Sequence, residues 1–343
     1  MSLKKQYLFI NKLESLYRTN RSLALTIEKL SQHEPNAFLR GAFKKISEDI
    51  KAGSTLAAAL ERSNVVDEVY CRLIQIGEKS GRLDSVLKQI QELIDNLIQV
   101  RRKVLSAAIY PMAVIGVYFV IGNIFFLVII PMLLNFFTKF GNDPPFFLKA
   151  ITAIANPFNC CCCGPVLILI AAAGVYMFVT LDAIAYIRGM IFVFVPGFGQ
   201  LDKLKNMFAY IYTMKICYES GMSIYESADL STYNVGNEYL AQIFDEVPVH
   251  IKNGDTITDA INKTKLFNFE MIDIIRTGED SGTLDESYVE VIRLINDKIN
   301  TIVTIMIGLV KPLGLIIGLL FLIAFFVGLG VLIISVLSSA LPG

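Results

Sequence analysis

Between positions 83 and 97 the apolar residues Leu83, Val86, Leu87, Ile90, Leu93, Ile94 and Leu97 recur at three- and four-residue steps, while Lys88, Gln91, Glu92 and Asp95 fill the other positions. This spacing draws one apolar stripe along a helix. The rhythm returns at Leu284, Tyr288, Val291, Leu294 and Ile295. Upstream, Phe9, Leu13, Leu16 and Tyr17 predict a further helix, as do Thr26, Ile27 and Leu30, and then Phe38, Phe43, Ile46 and Ile50. Breaks fall at Asn20, Glu34-Pro35-Asn36, Gly53 and Ser63-Asn64, which carry turn-forming residues. Strand-type alternation is almost absent. Each polar region is therefore expected to be an all-α bundle of about five or six helices.

Three stretches depart from this amphipathic pattern. Ala107–Leu134 and Leu313–Leu337 carry no charge, and Val166–Leu181 is nearly as apolar. A hydrocarbon core about 30 Å thick needs roughly 20 apolar residues in a helix, so each is a candidate membrane span. Arg101, Arg102 and Lys103 precede the first, Arg188, Lys203 and Lys205 follow the second, and Lys298 and Lys311 precede the third. Cationic flanks favour the cytosolic side. The expected layout is a cytosolic bundle over 1–105, a span over 106–135, an outer loop over 136–165 and a span over 166–190. A second cytosolic bundle over 191–305, a span over 306–338 and an outer tail over 339–343 complete it. The first residues, which mix Lys4, Lys5, Lys12 and Glu14 with single apolar positions, lack the continuous apolar run of a secretory signal, so the N-terminus is expected in the cytosol.

The two polar regions repeat each other at a constant offset of 201 residues. Lys51-Ala-Gly53-Ser-Thr55 answers Lys252-Asn-Gly254-Asp-Thr256, and Phe43 and Ala59 answer Phe244 and Ala260. Asn36 and Leu39 answer Asn237 and Leu240, and Pro111 answers Pro312 at the mouth of an apolar span. The strongest block is Gly77-Glu78-Lys-Ser80-Gly81-Arg-Leu83-Asp84, matched by Gly278-Glu279-Asp-Ser281-Gly282-Thr-Leu284-Asp285. An ungapped register of this length marks a duplicated unit, a bundle followed by an apolar helix.

The block reads as a corner between two helices. Gly77 and Gly278 suit a helix C-terminus, where a positive φ favours glycine. Ser80 and Ser281 suit the N-cap of the next helix, and Asp84 and Asp285 meet the positive end of its dipole. Gly81 and Gly282 permit a tight turn or close packing. Glu78 and Glu279 leave two readings open: an ion or partner contact at the corner, or a local hydrogen bond.

Composition narrows the chemistry. Hydrophobic residues make up 54% of the chain, above the usual range for soluble proteins, and the excess lies in the three apolar stretches. Net charge is +0, with no concentrated basic face, so nucleic acid is not an expected partner. No Gly-x-x-x-x-Gly-Lys-[Ser/Thr] or Gly-x-Ser-x-Gly pattern occurs, and His33 and His250 stand apart from Cys or Asp clusters. The unbroken run Cys160–Cys163 lacks the spacing that lets thiolates converge on zinc. No cofactor, metal or catalytic residue is expected. Lys311 beside Pro312 reads as a snorkelling cation at the inner membrane edge with proline at the start of the spanning helix. Gly314-x-x-x-Gly318 is a candidate for close helix packing.

Twin Gly-Glu-x-Ser-Gly-x-Leu-Asp blocks, the Ala-Ala-Ile-Tyr110-Pro111 lead into the first span and three spans around a duplicated domain resemble the type II secretion F domain family. These are inner-membrane platform proteins of type IV pilus and type II secretion machines. The likeness runs from about Tyr7 to Leu337, with Lys311-Pro312 where the family usually has Glu-Pro. It implies a non-enzymatic role: coupling a cytosolic hexameric assembly ATPase to insertion of pilins or pseudopilins into a fibre. The implied setting is the bacterial inner membrane, as a dimer or tetramer, beside other inner-membrane alignment proteins. Arg18, Arg21, Arg40, Lys44 and Lys45 make the first domain the candidate ATPase contact. The alternative reading is a transporter or channel component, which would need charge at the bilayer midplane; the first and third spans carry none.

Overall fold

The computed structural model describes residues 3–20, 23–35, 37–124, 130–132, 135, 185–194 and 197–340. Arg21, the expected outer loop over 136–165 with Cys160–Cys163, most of the second expected span and the last three residues lie outside this set.

The described residues are helical, with no strand among them. The first copy comprises α1 (Leu3–Asn20), α2 (Leu23–His33), α3 (Ala37–Lys51), α4 (Leu56–Ser63), α5 (Glu68–Ser80) and α6 (Leu83–Ile124). After α7 (Ala185–Phe194) the second comprises α8 (Phe198–Glu219), α9 (Ile224–Thr232), α10 (Glu238–Lys252), α11 (Ile257–Lys263), α12 (Phe269–Ser281) and α13 (Leu284–Ala340). Helices α3 to α6 begin 201 residues before α10 to α13, so the sequence repeat is a repeat of helices.

One structural unit gathers Met1–Val104 and Ala185–Ile302, and a second gathers Leu105–Ile184 and Val303–Gly343. In the first unit the stripe of α6 is wholly buried, and Leu284, Tyr288, Val291 and Ile295 are buried on α13. Each copy stacks one aromatic pair at matching positions: Phe9 on Phe43 with centroids 4.9 Å apart, and Tyr210 on Phe244 at 4.1 Å. Both bundles are thus organised around the same apolar positions, and the area removed from water supplies most of their stability. Helix α7 packs on α8 and α10 within this unit. Its Gly189 lies so close to Asn237 that a Cβ there would meet the amide oxygen at 2.4 Å.

Polar side chains join the two copies. Tyr70 Oη donates to Asn234 Oδ1 at 3.3 Å, and Asn234 Nδ2 donates to Thr213 Oγ1 at 2.8 Å. Asn96 Nδ2 on α6 donates to Tyr212 Oη on α8 at 2.9 Å. Burial raises the Tyr70 hydroxyl well above the usual tyrosine range, so it stays a neutral donor at any physiological pH.

The second unit contains the apolar continuations of α6 and α13. One helix among the described residues, α13 over Leu284–Leu320, is long and apolar enough to cross a membrane, and Met112–Gly122 is a shorter apolar stretch. Large apolar side chains stand exposed there, among them Met112, Leu315, Leu320 and Phe326. Helix α13 runs without interruption through Pro312, and α6 through position 111. This corrects the expectation that proline marks the start of the spanning helix. The proline forfeits one intrahelical hydrogen bond, and the turns on both sides hold the helix together. The Gly314-x-x-x-Gly318 pattern faces Tyr118: Cβ atoms there would lie 3.4 and 3.3 Å from its ring and hydroxyl, and Tyr118 Oη donates to Gly314 O.

Cys71 and Cys217 are buried, and desolvation pushes both thiols up to about 12. The thiolate is the reactive form. Native full-length protein should therefore leave both unlabelled by a maleimide at neutral pH, and urea unfolding should make both react. Rapid labelling of either in the native state would contradict this burial.

Candidate functional site

The conserved-register corner of each copy is built from the end of one helix, the start of the next and a carboxylate that reaches back to an earlier helix. In the first copy α5 ends at Ser80, and Gly81 follows with φ of 69°. Gly81 N–H bonds to Glu78 O at 3.3 Å and Arg82 N–H to Gly77 O at 2.9 Å. In the second, Gly282 has φ of 73°, with Gly282 N–H on Glu279 O at 3.4 Å and Thr283 N–H on Gly278 O at 2.8 Å. This pairing is a Schellman closure, which satisfies the last carbonyls of the helix and needs a left-handed residue.

The two glycines of each block therefore exchange the roles expected of them. The second glycine, not the first, takes the positive φ. The first lies inside the helix, where the following helix crosses almost in contact. A Cβ on Gly77 would lie 3.0 Å from Val86 Cβ, and one on Gly278 would lie 1.9 Å from Ser287 Oγ and 2.7 Å from Ser287 Cβ. The serines are likewise not N-caps. Ser80 Oγ bonds back to Ile76 O at 2.8 Å and Ser281 Oγ to Thr277 O at 2.6 Å, because the chain is still helical at these positions. Leu83 and Leu284 are buried as the next helix begins, with Asp84 and Asp285 in its first turn.

The glutamates have a definite task. Glu78 accepts Leu56 N–H at 2.7 Å through one oxygen and Ala57 N–H at 3.1 Å through the other. Glu279 accepts Ile257 N–H at 2.9 Å, Thr258 N–H at 3.0 Å and Thr258 Oγ1 at 2.6 Å. These amides open α4 and α11. The next amide in each is taken by the N-cap threonine: Ala58 N–H on Thr55 Oγ1 at 3.3 Å, and Asp259 N–H on Thr256 Oγ1 at 3.1 Å. A helix start leaves its first amides unpaired. Here a carboxylate from the next helix along the chain takes two of them while meeting the positive end of the dipole. This couples the Gly-x-Thr turn to the Gly-Glu block some 21 residues later. It also explains why both segments recur together in the repeat. Of the two readings of Glu78 and Glu279, the hydrogen-bond reading accounts for both carboxylate oxygens in each copy.

Other candidate residues fall elsewhere. Arg18, Arg40, Lys44 and Lys45 are exposed, and Arg40 bonds to the carbonyls of Glu34 at 2.9 Å and Pro35 at 3.3 Å. Tyr110 and Pro111 fall within α6, and Lys311 and Pro312 within α13. His33 Nδ1 lies 3.0 Å from Lys29 O, and His250 pairs with Asp255 at 3.1 Å. Among the described residues no group of three or more His, Cys, Asp or Glu could hold a metal ion. The residues that sequence reading passed over are buried amides. Asn237 Oδ1 caps α10 through Tyr239 N–H at 3.0 Å, while its Nδ2 donates to Asp202 at 2.7 Å and to Gly189 O at 3.3 Å. Asn206 Oδ1 accepts Gly236 N–H at 2.8 Å. The match of Asn36 to Asn237 was the available signal for the first of these.

A helical bundle closed by a carboxylate across its own helix start, made twice and followed each time by an apolar helix, defines a duplicated all-helical membrane-associated class. Within it, residues 9–131 and 210–332 each match the family described as Type II secretion system (T2SS), protein F, and the chain belongs to that family. The two matches keep the 201-residue register of the repeat. The chain is 22% identical over 327 residues to the Type IV pilus assembly protein PilC of Thermus thermophilus, covering 93% of this chain and 80% of that protein. It is 24% identical over 311 residues to the Type II secretion system protein F of Vibrio cholerae, covering 89% and 76%. Against the Type IV pilus assembly protein PilC of Pseudomonas aeruginosa it is 21% identical over 330 residues, covering 91% and 85%.

Proposed function

We propose that the chain is a platform protein of the bacterial inner membrane on which a type IV pilus or type II secretion pseudopilus is assembled. The observation that carries this reading is the family match to both copies in one register, with relatives named for pilus assembly and type II secretion. In this reading the bundles over 1–105 and 191–305 lie in the cytosol. Three helices, over 106–135, 166–190 and 306–338, span the bilayer, with 136–165 and 339–343 outside.

The proposed job is mechanical rather than catalytic. A cytosolic hexameric ATPase supplies the work, with Arg18, Arg21, Arg40, Lys44 and Lys45 as its contact, and the platform passes it to pilins or pseudopilins entering from the membrane. Other inner-membrane alignment proteins and further copies of this chain complete the assembly. The corner residues Gly77, Glu78, Ser80, Gly81, Leu83 and Asp84, with Gly278, Glu279, Ser281, Gly282, Leu284 and Asp285, keep each bundle stiff enough to transmit displacement. Tyr110, Pro111, Lys311 and Pro312 sit where the load passes into the spans. Deleting the gene should abolish surface fibres or secretion while prepilin and ATPase levels stay normal, and wild-type fibres in the deletion strain would reject the proposal.

A further inference from the structure

The two copies differ in chemistry at one corner. In the first, Gln6 Nε2 donates to Asp67 Oδ2 at 2.8 Å and Asp67 N–H donates to Gln6 Oε1 at 3.2 Å, with Leu97 buried and Tyr70 bonded to Asn234 beside them. At the matching positions the second copy has Met207, Asn268, Lys298 and Met271. Met207, Asn268, Met271 and Lys298 line a cleft of about 210 Å³.

This cleft has an amphipathic lining. Leu204, Met207, Met271 and Ile302 form its walls, and Lys203 and Lys298 stand at it half-buried. Nearby charges are already paired among themselves, Lys205 with Asp202 and Arg293 with Glu290 and Asp297. Neither Lys203 nor Lys298 has an ion-pair partner among the described residues. Beside Asn268 stands Phe269, 82% exposed, where the first copy has Glu68 in a salt bridge with Arg72. Ile302 is the last residue of α13 in the bundle unit, and the helix then continues into its apolar stretch.

We propose that this cleft is a binding site for one anionic phospholipid, its phosphate between Lys203 and Lys298 and its glycerol and upper acyl carbons on Met207, Met271 and Ile302. The inference rests on the membrane placement proposed above. Two half-buried ammonium groups without an ion-pair partner favour an anion, and the apolar walls favour an amphiphile over free phosphate. The exposed phenyl ring suits the lipid interface, where aromatic rings settle. The starting point of the apolar helix puts the source of such a molecule at hand.

The test uses full-length protein, delipidated in detergent and titrated with phosphatidylglycerol or phosphatidylcholine, with bound lipid counted by native mass spectrometry. The wild type should retain phosphatidylglycerol preferentially. The K203Q/K298Q double variant should bind it roughly 30-fold more weakly, from about 1 kcal/mol per lysine near a lipid surface. K203R/K298R should restore binding, F269S should weaken it without a change of charge, and K88Q should bind as wild type. Equal affinity in the double variant, equal retention of phosphatidylcholine, or displacement by millimolar inorganic phosphate would overturn the proposal. Stable insertion of the wild type into vesicles of phosphatidylcholine alone reads the membrane placement separately, so the two cannot fail unnoticed together.

Discussion

Replacing Glu279 by alanine is expected to destabilise the second bundle by about 3 kcal/mol. Three accepted hydrogen bonds disappear, each to a charged acceptor and each worth about 1.5–3 kcal/mol at most. The Ile257 and Thr258 amides lose their partner at a half-buried helix start. Water can reach part of the corner, which is why the loss falls below the sum. Glu78→Ala should cost about 2 kcal/mol, since its carboxylate accepts two amides and no hydroxyl. Glutamine keeps one carbonyl acceptor and turns a donor toward the other amide, so Glu279→Gln should fall between wild type and alanine. Hydrogen exchange on the full chain in detergent checks this directly. Amides opening α11 should exchange about 100-fold faster in Glu279→Ala while those opening α4 are unchanged, from about 1.4 kcal/mol per tenfold. Unchanged protection of Ile257 and Thr258 would show that the carboxylate does not hold this helix.

The second large effect concerns a methyl group. Gly278→Ala places a Cβ 1.9 Å from Ser287 Oγ, 2.7 Å from Ser287 Cβ and 3.0 Å from Thr283 O, so the start of α13 must move away from α12. Overpacking of this kind costs about 3 kcal/mol, with Schellman closure and glutamate position disturbed together. Gly77→Ala meets Val86 at 3.0 Å and should cost about half as much. The coupling can be tested: Ser287→Gly removes both offending side-chain atoms, so the double variant G278A/S287G should recover much of the lost thermal stability of the full chain. Lack of recovery would mean that Gly278 is needed for some reason other than the approach of α13.

The contrast between these residues and their sequence signals shows what a pattern carries and what it leaves out. Helical spacing named the buried face of α6 because burial acts on every third or fourth residue and leaves a periodic trace. The repeat was legible because both copies solve one packing problem in one register. The task of Glu78 left no local trace: its partners lie 22 and 21 residues away, and only the fold brings an α5 side chain to the start of α4. The two glycines were exchanged for a related reason. Both are compatible with a turn, and what separates them is the crossing of the next helix over Gly77 and Gly278. The side-chain amides of Asn206, Asn234 and Asn237 left no local trace either, because they connect distant backbone and side-chain groups. Proline within α13 was misplaced because the sequence rule for a helix start competes with a helix long enough to absorb one missing bond.

The two bundles share their architecture and diverge in chemistry at one corner. Gln6 and Asp67 are hydrogen-bonded where the second copy has Met207 and Asn268, Leu97 is matched by Lys298, and Glu68 by Phe269.

The central claim is that both copies of the unit face the same aqueous compartment, with apolar helices crossing the bilayer between and after them. Ser80 and Ser281 are exposed at equivalent corners, and Cys71 and Cys217 are buried. Ser80→Cys and Ser281→Cys, introduced singly with Cys160–Cys163 replaced by serine, can be probed in intact cells with a membrane-impermeant maleimide. Both positions should stay unlabelled until the inner membrane is permeabilised and then react together. Labelling of one corner but not the other in intact cells would contradict the account.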